Sequence, residues 1–164
     1  ARRRVPLGFA TAVATAVLAA PTWDSWRLGL VVAVIGEAIR IWAAGHLEKG
    51  REVTRSGPYR WSAHPLYVGS SVIALGVVIA AHSIVVAVLA TVYMVTTLTA
   101  AVRTEEAYLR GRFGGAYDEY RRSEGEEMDR RFSAARAWRN KEYRAVIGVL
   151  IGFAFLALRV WTPI

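Results

Sequence analysis

Apolar residues run in long blocks along the chain, and the polar residues gather between them. Five blocks, residues 5–23, 28–44, 66–81, 84–102 and 145–161, approach the roughly 20 apolar residues that a helix needs to cross a bilayer core. The shorter ones predict tilt or local thinning of the bilayer. Arg2, Arg3 and Arg4 precede an alanine-rich run ending near Ala19 and Ala20, which is also the pattern of a secretory signal. Four further blocks follow it, so it is read as an ordinary first helix. The tight connection at His82 and Ser83 predicts an antiparallel hairpin of the third and fourth spans, with Ser83 as the cap of the fourth. The pattern predicts an all-α fold, a polytopic membrane helix bundle of about five transmembrane helices in one domain, residues 1–164.

Charge sets an orientation on this bundle. Of the 21 basic residues, all but Arg27, Arg40 and Arg159 lie at the amino end, in the loop 45–63 or in the segment 103–144. Five spans put these three regions on one side, which the excess of Lys and Arg makes cytoplasmic. The carboxyl end then lies on the opposite side. The expected location is a multi-pass protein of a bacterial inner membrane, with the lipid bilayer as its partner. The net charge of +8 is placed between apolar blocks, which fits membrane orientation and gives no sign of nucleic-acid binding. Composition narrows the chemistry: cysteine is absent, which excludes thiolate nucleophiles and disulfides, and three histidines without HxxxH or HExxH spacing leave little room for a histidine-built metal site.

Two polar stretches carry candidate chemistry. In the first, residues 56–69, Gly57-Pro58 makes a turn ahead of Tyr59, and His64-Pro65 marks the start of a helix, because proline suits the first helical position. His64 therefore sits where a loop meets the membrane, with Tyr59, Trp61 and Tyr67 at the level of the interfacial aromatic belt. In the second, residues 103–120, Glu106, Leu109, Phe113, Tyr117 and Tyr120 recur at spacings of 3, 4, 4 and 3. A helix continuing out of the membrane would present them on one face. Read as a plain surface, Glu105 and Glu106 would merely pair with nearby arginines, at about 0 to 1 kcal/mol.

Taken together, the two stretches resemble the membrane methyltransferases that include isoprenylcysteine carboxyl methyltransferases and phospholipid methyltransferases. That pattern runs GPY, three residues, RHPxYxG, a helical hairpin, then RxEExxLxxxFGxxYxxY. It is matched at Gly57, Pro58, Tyr59, His64, Pro65, Tyr67, Gly69, Arg103, Glu105, Glu106, Leu109, Phe113, Gly114, Tyr117 and Tyr120. The resemblance implies an S-adenosylmethionine site at the cytoplasmic end of the hairpin, with S-adenosylhomocysteine as product. His64, Pro65, Tyr67 and Gly69, with the Gly57-Pro58-Tyr59 turn, would hold the cofactor, and Glu105 and Glu106 would meet its cationic or hydroxyl groups. Carboxylates and aromatic faces both suit a cationic ligand.

The acceptor implied is a lipid-like, prenylated or otherwise apolar molecule. Arg103 would position an acceptor carboxylate, and Glu106 or His64 would take the proton of an amine or thiol acceptor. One departure stands within the motif: Ala63 occupies the place of the arginine before His-Pro. Beyond Tyr120 the chain also departs, running through Glu124, Glu126, Glu127 and Asp129 into a basic segment and a fifth span.

Other residues extend the reading. Glu37 and Arg40 lie inside the second block, three apart and able to pair on one helix face, and ionisable groups at that depth are functional candidates, here for substrate. His46 and Glu48, just past that block, are candidates to line the same cytoplasmic cavity. Met128, Phe132, Ala135 and Trp138, flanked by Arg130, Arg131, Arg136 and Arg139, have the spacing of a helix that would lie on an anionic lipid surface, serve as a plain connection or close over the active site. Two alternatives compete: a sterol-type reductase using NADPH, which a basic phosphate-binding cluster would favour and the Glu105-Glu106 pair disfavours, and a non-enzymatic membrane module.

Overall fold

In a computed structural model, which describes residues 4–122 and 128–162, every regular element among the described residues is helical. Arg2, Arg3, Glu124, Glu126, Glu127 and the last two residues lie outside that range. The helices are α1 (Arg4–Leu18), α2 (Trp23–His46), α3 (Pro65–Ala81), α4 (Ile84–Phe113), α5 (Gly115–Arg121), α6 (Ala134–Arg139) and α7 (Tyr143–Trp161), with a 3-10 turn at Gly57–Arg60 before α3. Helices α2, α4 and α7 are long and apolar enough to cross a membrane. Helix α3 is apolar but has 17 residues, a rise of about 25 Å, and α1 has 15 residues. The protein is an integral membrane helix bundle.

Local chemistry fixes the ends of these helices. Thr22 and Ser25 cap each other's backbone at the start of α2, with Ser25 N donating to Thr22 Oγ1 at 3.1 Å and Thr22 N to Ser25 Oγ at 3.0 Å. Pro65 opens α3. His82 ends it in the left-handed region, at φ 46°, and Ser83 Oγ accepts from Val86 N at 3.5 Å to begin α4. The expected hairpin turn is therefore present.

The closest packing lies elsewhere, between α2 and α3. A Cβ added to Gly29 would sit 2.4 Å from the Gly76 carbonyl oxygen, one on Gly36 2.8 Å from that of Gly69, and one on Gly69 2.7 Å from that of Gly36. Two pairs of glycines, seven residues apart on each helix, let the backbones touch. Helix α7 joins this pair through Trp26 Nε1, which donates to the Phe153 carbonyl at 2.9 Å. Much of the apolar surface of α4, including Val85, Val88, Val92 and Val95, remains exposed, as lipid-facing positions require.

Three expectations are corrected. Helix α4 does continue past its apolar part, which ends at Val102, but it stops at Gly114, whose φ is 50°. Tyr117 and Tyr120 are therefore on a separate helix and share no continuous face with Glu106. The basic segment is not one amphipathic helix from 128: only Ala134–Arg139 is helical, because Arg130 and Phe132 ahead of it are engaged by the end of α2 and the loop after it. Arg40 pairs with Glu142 at the head of α7, Nε to Oε1 2.6 Å, instead of with Glu37. Glu142 offers that guanidinium a direct hydrogen bond, and Ser70 Oγ and the Leu66 carbonyl take its Nη1.

Candidate functional site

Where the polar segments meet, at the end of the bundle formed by the close of α2 and the start of α3, the chain encloses a cavity of about 300 Å³. That volume is at the small end of the range for small-molecule sites. Its walls come from the loop 47–54, from Tyr59, Ala63 and Tyr67 around the start of α3, from Ala101 to Leu109 of α4, and from Tyr117 and Tyr120 of α5. Both sequence motifs thus contribute to one site.

Gly57 makes the first motif's turn possible. Its φ is 57°, and a Cβ there would lie 2.6 Å from the His46 ring. The turn buries Pro58 and Tyr59, and α5 pins it: the Tyr120 hydroxyl donates to the Tyr59 carbonyl at 2.7 Å and to the Ser62 carbonyl at 3.2 Å. Burial pushes the Tyr120 phenol up to about 12, so it stays a donor.

The second motif divides its two acids. Successive helical residues point about 100° apart, so Glu105 lines the cavity while Glu106 turns toward His64 and Arg121. The His64 ring lies between them, Nδ1 3.7 Å from Glu105 Oε2 and Nε2 3.4 Å from Glu106 Oε1, and stacks on Tyr67 at 5.6 Å between centroids. Glu105, then Glu106, raises the His64 pKa above its ordinary value, against the opposing effect of burial.

A raised histidine pKa contributes stability that is complete below the unfolded value, about 6.5, and that disappears as pH rises through the folded one. The thermal midpoint of the ligand-free protein is therefore expected to fall on raising the pH through and above that value. In His64→Gln the decline over this window should be absent, as differential scanning fluorimetry across pH would show. An unchanged decline in the variant would put its origin elsewhere.

The remaining candidates are dispersed. Pro65 starts α3 and Gly69 sits in the α2–α3 crossing. Arg103 is on the exposed side of α4. Arg40 borders a different groove, with Ser70, Val77 and Phe153, between α3 and α7. Glu37 is buried, and neither of its carboxylate oxygens has a hydrogen-bond partner among the described residues. Neither His46 nor Glu48 lines the cavity. His46 Nδ1 is 3.2 Å from Ser56 Oγ, and Glu48 is bound by Arg136; their neighbours Leu47 and Lys49 line it instead. That loop carries no periodic or motif signal, only the charges of Glu48, Lys49, Arg51 and Glu52.

The lining chemistry fits a cationic small molecule. Five of the chain's seven tyrosines, Tyr59, Tyr67, Tyr108, Tyr117 and Tyr120, face the cavity together with the Glu105 carboxylate. Tyr117 is 1% exposed, and its hydroxyl has no hydrogen-bond partner among the described residues. A buried hydroxyl left unpaired costs about 1–3 kcal/mol. Ala63 stands where the motif resemblance places an arginine, and among the described residues Lys49 is the cation on the cavity walls, against Glu52 and Glu105.

Residues 22–116 match the family model described as phospholipid methyltransferase. No curated protein and no solved structure matched the chain. The matched region covers more than half of the sequence and contains the turn at Gly57, the His64-Pro65 start of α3, the α3–α4 hairpin and the Glu105-Glu106 pair. The chain belongs to the phospholipid methyltransferase family, a family of methyltransferases.

Proposed function

We propose that the cavity between α3, α4, α5 and the loop 47–54 holds S-adenosylmethionine, and that the protein methylates a lipid-like or prenylcysteine-like substrate at the cytoplasmic face. The observation that carries this reading is the convergence of the Glu105 carboxylate and five tyrosines on one cavity. The cofactor supplies an electrophilic methyl group, and such a transfer asks the protein to align the acceptor and exclude water. Glu105 would take the cationic part of the ligand, tyrosine faces would surround it, and His64, held by Glu106, would keep Glu105 oriented or accept a proton from an amine or thiol acceptor. The weight of Lys and Arg at this end of the bundle supports the cytoplasmic assignment.

The acids on the cavity wall favour this reading over a phosphate-bearing nicotinamide cofactor. Tyr117→Phe removes the unpaired hydroxyl and keeps the ring. It should leave the ligand-free protein as stable or more stable by about 1 kcal/mol, the cost of a buried unpaired hydroxyl. A thermal midpoint of the variant well below that of the unaltered protein, read by differential scanning fluorimetry, would show that the hydroxyl has a partner. The reading as a whole is tested by incubating the purified protein with methyl-tritiated S-adenosylmethionine, a total lipid extract and a farnesylcysteine analogue. Label entering an organic-soluble product supports it, and a folded, ligand-binding protein that labels neither class excludes the proposed substrates.

A further inference from the structure

Residues 128–142 follow the part of the chain that carries the family match, and they meet the end of α2 in an unusually complete way. A helix leaves its last four carbonyls without intrahelical partners. Here the Ala44 and Leu47 carbonyls both accept from Asn140 Nδ2 at 2.9 Å. The Gly45 carbonyl accepts from Ser133 N at 3.1 Å and from Arg136, and the His46 carbonyl accepts from Arg130 Nη1 at 3.2 Å. Gly45 has no side chain to obstruct the Phe132 ring, which a Cβ would approach to 2.2 Å.

The same arginines reach into the loop beyond α2. Arg130 binds Glu52 through both terminal nitrogens, with Nη2 2.8 Å from Oε2, and Arg136 Nε lies 2.8 Å from Glu48 Oε1. Glu52 lines the cavity, as do Leu47, Lys49, Gly50, Val53 and Thr54. Within itself the loop makes little: Arg51 N donates to the Glu48 carbonyl at 3.2 Å, Glu48 N to Thr54 Oγ1 at 3.3 Å, and the exposed Arg51 guanidinium lies 3.8 Å from the Glu48 carboxylate. Two charge-assisted clamps and the carbonyl caps therefore outweigh the loop's own contacts.

We propose that residues 128–142 act as a strap that fixes the loop wall of the cavity, with Arg130 and Asn140 as positioning residues for the bound ligand. The part concerning the ligand rests on the cofactor reading above; the part concerning the loop does not. The strap acts through the loop, since none of its residues lines the cavity.

Hydrogen exchange with mass spectrometry on the full chain in detergent, without ligand, tests the loop directly. In Arg130→Gln and in Asn140→Ala, amides of residues 47–54 should exchange about tenfold faster or more, with α3 and α7 unchanged. Arg130→Lys, which keeps the charge but loses the fork, should recover part of the protection. Exposed Arg131→Gln is the control. Loop exchange in the variants equal to that control would overturn the proposal. Titration with S-adenosylhomocysteine then reads positioning: the dissociation constant should rise at least fivefold in Arg130→Gln and recover partly in Arg130→Lys. A loosened loop with unchanged affinity would overturn the positioning role. If the unaltered protein binds no S-adenosylhomocysteine, the cofactor reading fails, and the exchange result alone decides whether the strap fixes the loop.

Discussion

Gly29→Ala should destabilise the bundle, although alanine is the better helix former by about 1 kcal/mol. The added methyl would lie 2.4 Å from the Gly76 carbonyl oxygen and 2.7 Å from the Ala80 nitrogen, both backbone atoms that no rotamer change can move aside. Helices α2 and α3 would have to separate, and the loss of contact along their crossing should cost about 3 kcal/mol, at the upper end for overpacking. Gly148 on α7 provides the control, since no atom lies within 4 Å of the position a Cβ would take there. Gly148→Ala should be neutral or slightly stabilising. Thermal midpoints and monodisperse yields of the two variants in detergent check the contrast; a Gly29→Ala protein as stable as Gly148→Ala would mean that the crossing is not the structural centre.

The second large effect concerns ligand binding. Glu105→Gln should weaken S-adenosylhomocysteine about 10- to 100-fold, the range expected for a charge-assisted hydrogen bond lost from a partly enclosed site. Glu106→Gln should cost less, because Glu106 lies off the cavity wall, in contact with His64. The ordering of the two variants carries the weight here. Equal losses, or a larger loss at Glu106, would mean that the division of the two acids between cavity and histidine is not what the ligand experiences.

These two regions differ in how far the sequence disclosed them. The turn at Gly57, the proline start of α3, the Ser83 cap and the Glu105-Glu106 pair are local, and residue chemistry alone indicates them. The α2–α3 crossing is not local. Gly29, Gly36, Gly69 and Gly76 are dispersed in apolar blocks, and their spacing acquires meaning only when two helices are laid together; Gly69 in particular reads as a motif residue until its contact with α2 is seen. Apolar periodicity also runs across Gly114-Gly115 as though one helix continued, whereas the positive φ of Gly114 breaks it and lets α5 bring Tyr117 and Tyr120 back to the cavity.

The segment after residue 127 shows the opposite failure. Its apolar residues have helical spacing, yet Phe132 packs on Gly45, and Arg130 and Arg136 satisfy the carbonyls of α2 and the acids of the following loop. Tertiary hydrogen bonds there outweigh local propensity. Glu37 and Arg40 illustrate the same limit: their spacing allows a pair, and the arginine is taken by Glu142 from the far end of the chain.

The measurement that bears most directly on the central claim is isothermal titration of the detergent-purified protein with S-adenosylhomocysteine, set beside NADPH and repeated on the Glu105→Ala, Glu106→Ala double variant. Saturable binding of S-adenosylhomocysteine alone, lost in the double variant, is the predicted result; a folded protein that binds NADPH or neither ligand would contradict it.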